Sequence, residues 1–375
     1  MDNKRTFFNQ ILISLKPKRR SIIVITTTSL ILIFTILFLG CNNETEVEPV
    51  YQPPVEKQFG AETAYVQEVR FQANGFTIVG DLRTPIIGDK HPVILMVHGS
   101  GNATRHGSVP FEPLIEIFLR QGFAVLSWDK PGSGASTGTF SSGQTIFERA
   151  EIVASALQVM LDNPSIDNSK IGLWGISQAG WVMPKALDLT DDIAFMIVVS
   201  GGGEDGIEQY AYLVGQVVAC DGGSAAQVET VELNWSKMAK ATEYNEYREA
   251  VDILVDIPAV VEFSGLSVTD ESQWNPWPRD IDAFFDPMDV IKHTTIPMLV
   301  FFGELDKNVD PVQGAQAYEA ALQEAGNNNY TIRVIQDVAH ILTPATTGCL
   351  SESAGSDYIQ EYLDILEDWL NDLIL

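Results

Sequence analysis

Lys170-Ile171-Gly172-Leu173-Trp174-Gly175-Ile176-Ser177-Gln178-Ala179-Gly180 is the stretch on which the fold turns. Its first half is a short apolar run of strand character, and residues 178–187 that follow carry helical spacing. Between them, Gly175 to Ala179 follows the G-x-S-x-G pattern, with Ala179 in the second glycine position. A serine at so sharp a strand-to-helix turn is pushed out of the sheet. Small neighbours are needed there because the turn brings the backbone close to adjacent strands. The same turn leaves the Gln178 N–H at a helix start, free to bind a developing oxyanion.

Working outward, continuous apolar runs at 93–97, 124–128, 195–199 and 298–302 read as strands buried on both faces of a parallel sheet. Helices are predicted at 111–121, 147–161 and 311–325. A strand at 330–334 precedes a last helix, in which Ile359, Tyr362, Leu363, Leu366, Trp369, Leu370 and Leu373 fall on one core-facing stripe. Upstream, 65–71 and 76–82 alternate like an antiparallel pair joined by Asn74-Gly75. The predicted class is α/β, a mostly parallel central sheet with helices on both faces. The interval from Ser200 to Pro297 far exceeds the roughly 15 residues of a structureless loop and reads as an inserted, largely helical cap. The core is thus expected over 61–202 and 291–375, with the cap over 203–290.

A serine hydroxyl is a poor nucleophile unless a histidine takes its proton and an acid orients the imidazole. Of five histidines, His340 follows the last core strand at its carboxyl end, where open α/β sheets gather catalytic groups. It is the expected base. His91 and His293 precede strands, His106 sits in a loop without a partner pattern, and His98 reads as scaffold. The loop behind the 298–302 strand offers Asp306 as the acid, with Glu304 as the alternative. Asp310-Pro311 looks like a helix N-cap and first turn. In Val97-His98-Gly99-Ser100-Gly101 the glycines allow close backbone approach, and the Ser100 N–H, or that of Gly101, is the expected second oxyanion donor. Trp235, Trp274 and Trp277 in the cap are candidates for substrate contact or for packing within the cap itself. Cys220 and Cys349 fit either a bridge or two free thiols.

The chain order Ser177, Asp306, His340 and these loops resemble the α/β-hydrolase superfamily from about Pro92 to Leu342, interrupted by the cap. Asp129-Lys130-Pro131-Gly132-Ser133-Gly134-Ala135-Ser136 resembles the D-x-x-G-x-G-x-S segment that many members carry. Within the superfamily, His98-Gly99-Ser100-Gly101, the cap and the Ser177 elbow are similar to exported serine esterases and serine aminopeptidase-like proteins related to dienelactone hydrolases and acyl-peptidases. The resemblance implies a serine hydrolase cleaving a carboxylic ester through an acyl-enzyme, without cofactor or metal. The alternatives are an aminopeptidase or acyl-peptidase on short peptides, and an inactive surface binding protein with a hydrolase fold. A peptidase site would want a carboxylate for the substrate amine. Glu229, Glu232, Glu243 and Glu246 are available, though they read first as a solvated helix face.

The 375 residues, 45% hydrophobic and 19% charged, suffice for a large core with an insertion. A net charge of −27 repels phosphate backbones and argues against nucleic acid as a partner. A small-molecule ester or short peptide is the expected substrate. The oligomeric state is not legible. Over 1–40, six basic residues and then an uncharged run from Ser21 to Gly40 make an export signal or an anchor. Leu37-Phe38-Leu39-Gly40-Cys41 resembles a bacterial lipobox in which Phe38 departs from the usual aliphatic residue, so Cys41 is the expected lipidation site and an uncleaved membrane helix the alternative. Residues 41–60, with Pro49, Pro53 and Pro54, read as a tether to the bacterial cell envelope, on its periplasmic or surface face.

Overall fold

The computed structural model describes residues 48–107, 109–139, 145–352 and 357–374. The expected signal segment and Cys41 lie outside the described residues. Ten strands make one sheet: β1 (Val50–Tyr51), β2 (Val55–Phe59), β3 (Glu62–Ala73), β4 (Phe76–Pro85), β5 (His91–Val97), β6 (Ala124–Trp128), β7 (Ile166–Ile176), β8 (Phe195–Val199), β9 (Met298–Gly303) and β10 (Tyr330–Ile335). Their order is β1-β3-β4-β6-β5-β7-β8-β9-β10, with β2 also paired to β3. From β6 across to β10 the pairs are parallel, and β4 joins β6 antiparallel. The β3–β4 hairpin turns on Asn74-Gly75, both at positive φ as a tight primed turn requires.

The buried strands sort their side chains by alternation. Val93, Leu95 and Val97 of β5 enter one apolar cluster, while Ile94 and Met96 enter another on the opposite face. Helices α1 (Glu112–Arg120) and α10 (Gln360–Ile374) cover the second cluster. Helices α2 (Ile146–Leu161), α3 (Ala179–Leu187) and α9 (Pro311–Glu324) cover the first, together with the short α8 (Met288–Ile291). Each long apolar run is therefore buried on both sides, which is why none of them alternates with polar residues.

Between β8 and β9 stand α4 (Gly206–Cys220), α5 (Ala225–Lys240), α6 (Tyr244–Val255) and α7 (Pro258–Ser264). Local signals delimit them. The Asp205 carboxylate accepts the N–H groups of Ile207 and Glu208, Ser224 and Gln227 form a capping box, and Gly265 closes α7 at φ +70°. They share their own apolar core, including Val214, Val231, Val251 and Leu254. Cys220, at the end of α4, is bridged to Cys349, at a sequence separation of 129.

The expected tether is corrected from Val50 onward. Residues 50–51 and 55–59 are edge strands antiparallel to β3, with Pro53-Pro54 at the break between them. Strands this short, interrupted by prolines that cannot donate to a ladder, carry no readable periodicity. No helix among the described residues is long and apolar enough to cross a membrane.

Candidate active site

Ser177 stands between β7 and α3 with φ +59°, a left-handed conformation that a non-glycine residue holds only when its surroundings impose it. The imposing contacts are local. Ser177 N–H donates to the Val199 carbonyl at 2.8 Å, and the Ser177 carbonyl accepts from Gly180 N–H at 2.8 Å. A Cβ on Gly180 would come within 2.2 Å of the Gly201 backbone, so helix α3 and the strand-end loop beside it approach as closely as they do only because both residues lack side chains. Ala179, in the second glycine position of the motif, is fully buried and tolerated. The 98–101 loop behind β5 lies against the serine, and a Cβ on Gly99 would sit 3.2 Å from that of Ser177.

Asp306 and His340 come from neighbouring strand ends. The loops behind β9 and β10 are joined by Glu304 N–H to Ile335 O at 2.8 Å and Leu305 N–H to Val338 O at 2.9 Å. Beyond these bonds, Val338 pairs with Pro344, and Ala339 N–H donates to Thr343 O at 3.1 Å, so His340 rides near the tip of a tight hairpin. His340 Nδ1 donates to Asp306 Oδ2 at 2.8 Å. Asp306, 1% exposed, also accepts the N–H groups of Asn308 (2.7 Å) and Val309 (3.0 Å) on Oδ1. Both of its oxygens are therefore occupied and the carboxylate cannot turn. Glu304, the alternative acid, instead accepts the Asp337 N–H at 3.3 Å and braces the hairpin. No hydrogen bond joins Ser177 to His340 among the described residues, a looseness that sites without substrate often show.

Ser100, Ser177 and Gln178 line a cavity of about 180 Å³. Its other walls are mainly apolar, Ile146 and Trp181 from the core, Leu213 and Phe263 from the cap, and Leu350 beside the disulfide, with Gln209, Tyr210 and Asn308 also in the lining and no charged side chain among these residues. Two polar ties hold α4 over this space, Tyr212 Oη donating to Asp306 O at 2.8 Å and Gln209 Nε2 to Asn308 O at 2.6 Å. Backbone N–H groups of Ser100 and Gln178 enter no hydrogen bond among the described residues. Of the two readings of the cap tryptophans, the structure places all three in packing and not at the cavity. Trp235 is buried in the cap core, Trp274 packs on Tyr244 and Tyr247, and Trp277 packs beside Ile207 and Ala283, so none of the three lines the cavity. Nor do Glu229, Glu232, Glu243 or Glu246.

The remaining histidines are accounted for. His91 Nδ1 contacts the Gly122 carbonyl at 3.2 Å, and His106 and His293 are exposed. His98 stacks on Phe111 and donates from Nε2 to Trp128 O at 2.8 Å. Its burial, and then the nearby Lys130 charge, push its pKa down to about 3, so the ring is neutral. Sequence reasoning missed Lys130 and Arg149, which lie directly behind the 98–101 loop. In sequence, one is a variable position of a glycine-rich motif and the other a cation in a helix that reads as amphipathic.

A family model described as X-Pro dipeptidyl-peptidase (S15 family) matches residues 73–341. Over 89 residues, 24% of this chain, the sequence is 32% identical to the thiohydrolase aneE of Aspergillus aculeatus, spanning 27% of that protein's length. Among solved structures, an esterase of Pyrococcus furiosus is similar at TM-score 0.51 and 16% identity, over 82% of this chain and 90% of its own. Dipeptidyl peptidase 4 of Porphyromonas gingivalis is similar at TM-score 0.51 and 14% identity, over 82% and 35%. Acetyl xylan esterase 1 of a Thermoanaerobacterium species follows at TM-score 0.50 and 13% identity, over 88% and 89%. At these identities the likeness speaks to the fold, which is that of the α/β-hydrolases.

Proposed function

The chain belongs to the X-Pro dipeptidyl-peptidase (S15) family of hydrolases, and from that premise we propose that it is a serine hydrolase of carboxylic esters with uncharged acyl groups. Ser177 Oγ attacks the carbonyl carbon while His340 Nε2 takes the proton. Asp306, fixed by two backbone donors, accepts from Nδ1 and keeps that tautomer. The N–H groups of Ser100 and Gln178 receive the tetrahedral oxyanion. Collapse expels the alcohol, which leaves with the proton from His340. Water, deprotonated in turn by His340, then releases the acid and regenerates Ser177.

The observation that carries the choice of ester is the apolar wall of Ile146, Trp181, Leu213, Phe263 and Leu350 around the serine. A dipeptide presenting a free ammonium would need an anionic partner there, because burying an unpaired charge costs several kcal/mol. The family's description favours the peptidase alternative, so the two are tested side by side. Short-chain p-nitrophenyl esters should be turned over with kcat/KM at least about 100-fold above that for aminoacyl-prolyl p-nitroanilides, a margin worth roughly 3 kcal/mol. Ser177→Ala should abolish both activities in a folded protein. Faster cleavage of the anilides would overturn the ester reading, and full activity in Ser177→Ala would overturn the serine mechanism.

The lipid anchor at Cys41 and a place in the cell envelope belong to the same proposal, supported by the basic and then apolar leader and the lipobox-like sequence. Mass spectrometry of the mature N-terminus should find a diacylated Cys41, and Cys41→Ser should release the protein from membranes. An unmodified Cys41 within an intact leader refutes it.

A further inference from the structure

Two cations are buried behind the Ser100 loop, Lys130 at 3% exposure and Arg149 at 5%, and no carboxylate lies within ion-pairing distance of either among the described residues. Burial depresses both, Lys130 well below the usual lysine range and Arg149 to about 9. What they hold instead is backbone. Lys130 Nζ donates to the carbonyls of Gly99 and Gly101, Arg149 Nη2 donates to the carbonyl of His98, and Arg149 Nη1 donates to Gln178 Oε1 at 2.6 Å.

We infer that Lys130 and Arg149 are positioning residues that lock the two oxyanion donors into one geometry. The inference rests on the serine-hydrolase reading above. In a trans peptide the carbonyl and the following N–H point in opposite directions. Lys130, by drawing the Gly99 carbonyl toward the core, turns the Ser100 N–H away from the core. Arg149 then spans the two halves of the site, one amino group on the loop that carries Ser100 and the other on the side chain of Gln178, whose own N–H is the second donor. The halves come from different strand ends, β5 and β7, and in this arrangement one guanidinium sets their separation. A planar fork suits that span better than an ammonium would. Arg149 also places positive charge behind the position where negative charge develops, in surroundings that screen it poorly. Burial of two such basic groups without a counter-ion is costly for stability, and a role in the transition state accounts for it.

The test uses the full-length protein and a fluorophosphonate probe, which reacts with an activated serine through an oxyanion-like transition state and does not depend on knowing the substrate. Labelling of wild type at Ser177 establishes the serine reading; absence of labelling there refutes that reading and this inference with it. With wild type labelled, Arg149→Met and Lys130→Met should slow the labelling rate constant, and kcat for an ester, by about 100-fold, the scale of losing one oxyanion donor. KM should stay within about threefold, and Arg149→Lys should recover part of the loss. A role confined to packing would lower the melting temperature and leave the labelling rate of the folded fraction unchanged, and that result overturns the inference. Because the Met variants put apolar groups where buried donors stood, Gln178→Ala is the safer arm. It keeps the backbone N–H, removes the Arg149 contact at a half-buried position, and should slow labelling about tenfold. A wild-type rate in folded Gln178→Ala also overturns it.

Discussion

Ser177 shows what a single residue's environment can demand, since its left-handed backbone is held by bonds to Val199 and Gly180 and would be released by unfolding. The elbow was legible because its requirements are written in residue types: a small–any–serine–any–small run between an apolar strand and a helix. Asp306 and His340 were legible for a similar reason, each following a strand's carboxyl end. Arg149 and Lys130 were not, because burial of a cation is a tertiary fact with no local signature. His98 offers a test at this same scale. Its pKa is pushed from 6.5 to about 3 by burial first and by the Lys130 charge second. Between those values the unfolded chain takes up a proton that the folded chain refuses, so stability falls as pH drops below about 6.5. The loss from this one group should reach roughly 2 kcal/mol at pH 5. Urea unfolding of wild type and His98→Gln at pH 7 and pH 5 measures it. The glutamine can still donate to Trp128 O, should cost stability at pH 7, and should flatten the pH dependence by about that amount. An equal pH slope in the two proteins would show the acid sensitivity to lie elsewhere.

Among the elements, α4 behaves as a fixed wall. Tyr212 and Gln209 bind it to the loop that carries Asp306, and Cys220 binds its far end to the segment beyond His340. The insertion's existence was readable from its length, and its helices from caps such as Asp205 and Ser224. Its facing was not. Tyr210, Trp235 and Phe263 are all aromatic residues on helices, and nothing in their spacing says that Phe263 lines the cavity while Trp235 is buried in the cap. Edge strands β1 and β2 escaped notice because a two-residue and a five-residue strand split by Pro53-Pro54 carry too little pattern. The bridge itself yields a prediction about this layer. Closing so long a loop restricts the unfolded chain, and its removal should cost roughly 2–4 kcal/mol. Thermal unfolding with and without a thiol reductant, and of Cys220→Ser/Cys349→Ser, should register a lower midpoint in both cases. Coincident melting curves would contradict the expected contribution.

At the scale of the whole molecule, one sheet with an apolar cluster on each face supplies a rigid floor, and every candidate catalytic group is carried on loops at the carboxyl ends of its parallel strands. That arrangement concentrates chemistry on one rim and leaves the rest of the surface, strongly acidic overall, to solubility. It also decides what the Cys220–Cys349 link encloses. Asp306 and His340 sit inside the closed ring of chain and Ser177 outside it, so a protease nicking the exposed stretch around Ser272 would make two polypeptides without parting nucleophile from base. Such a cut would be a scar rather than a death.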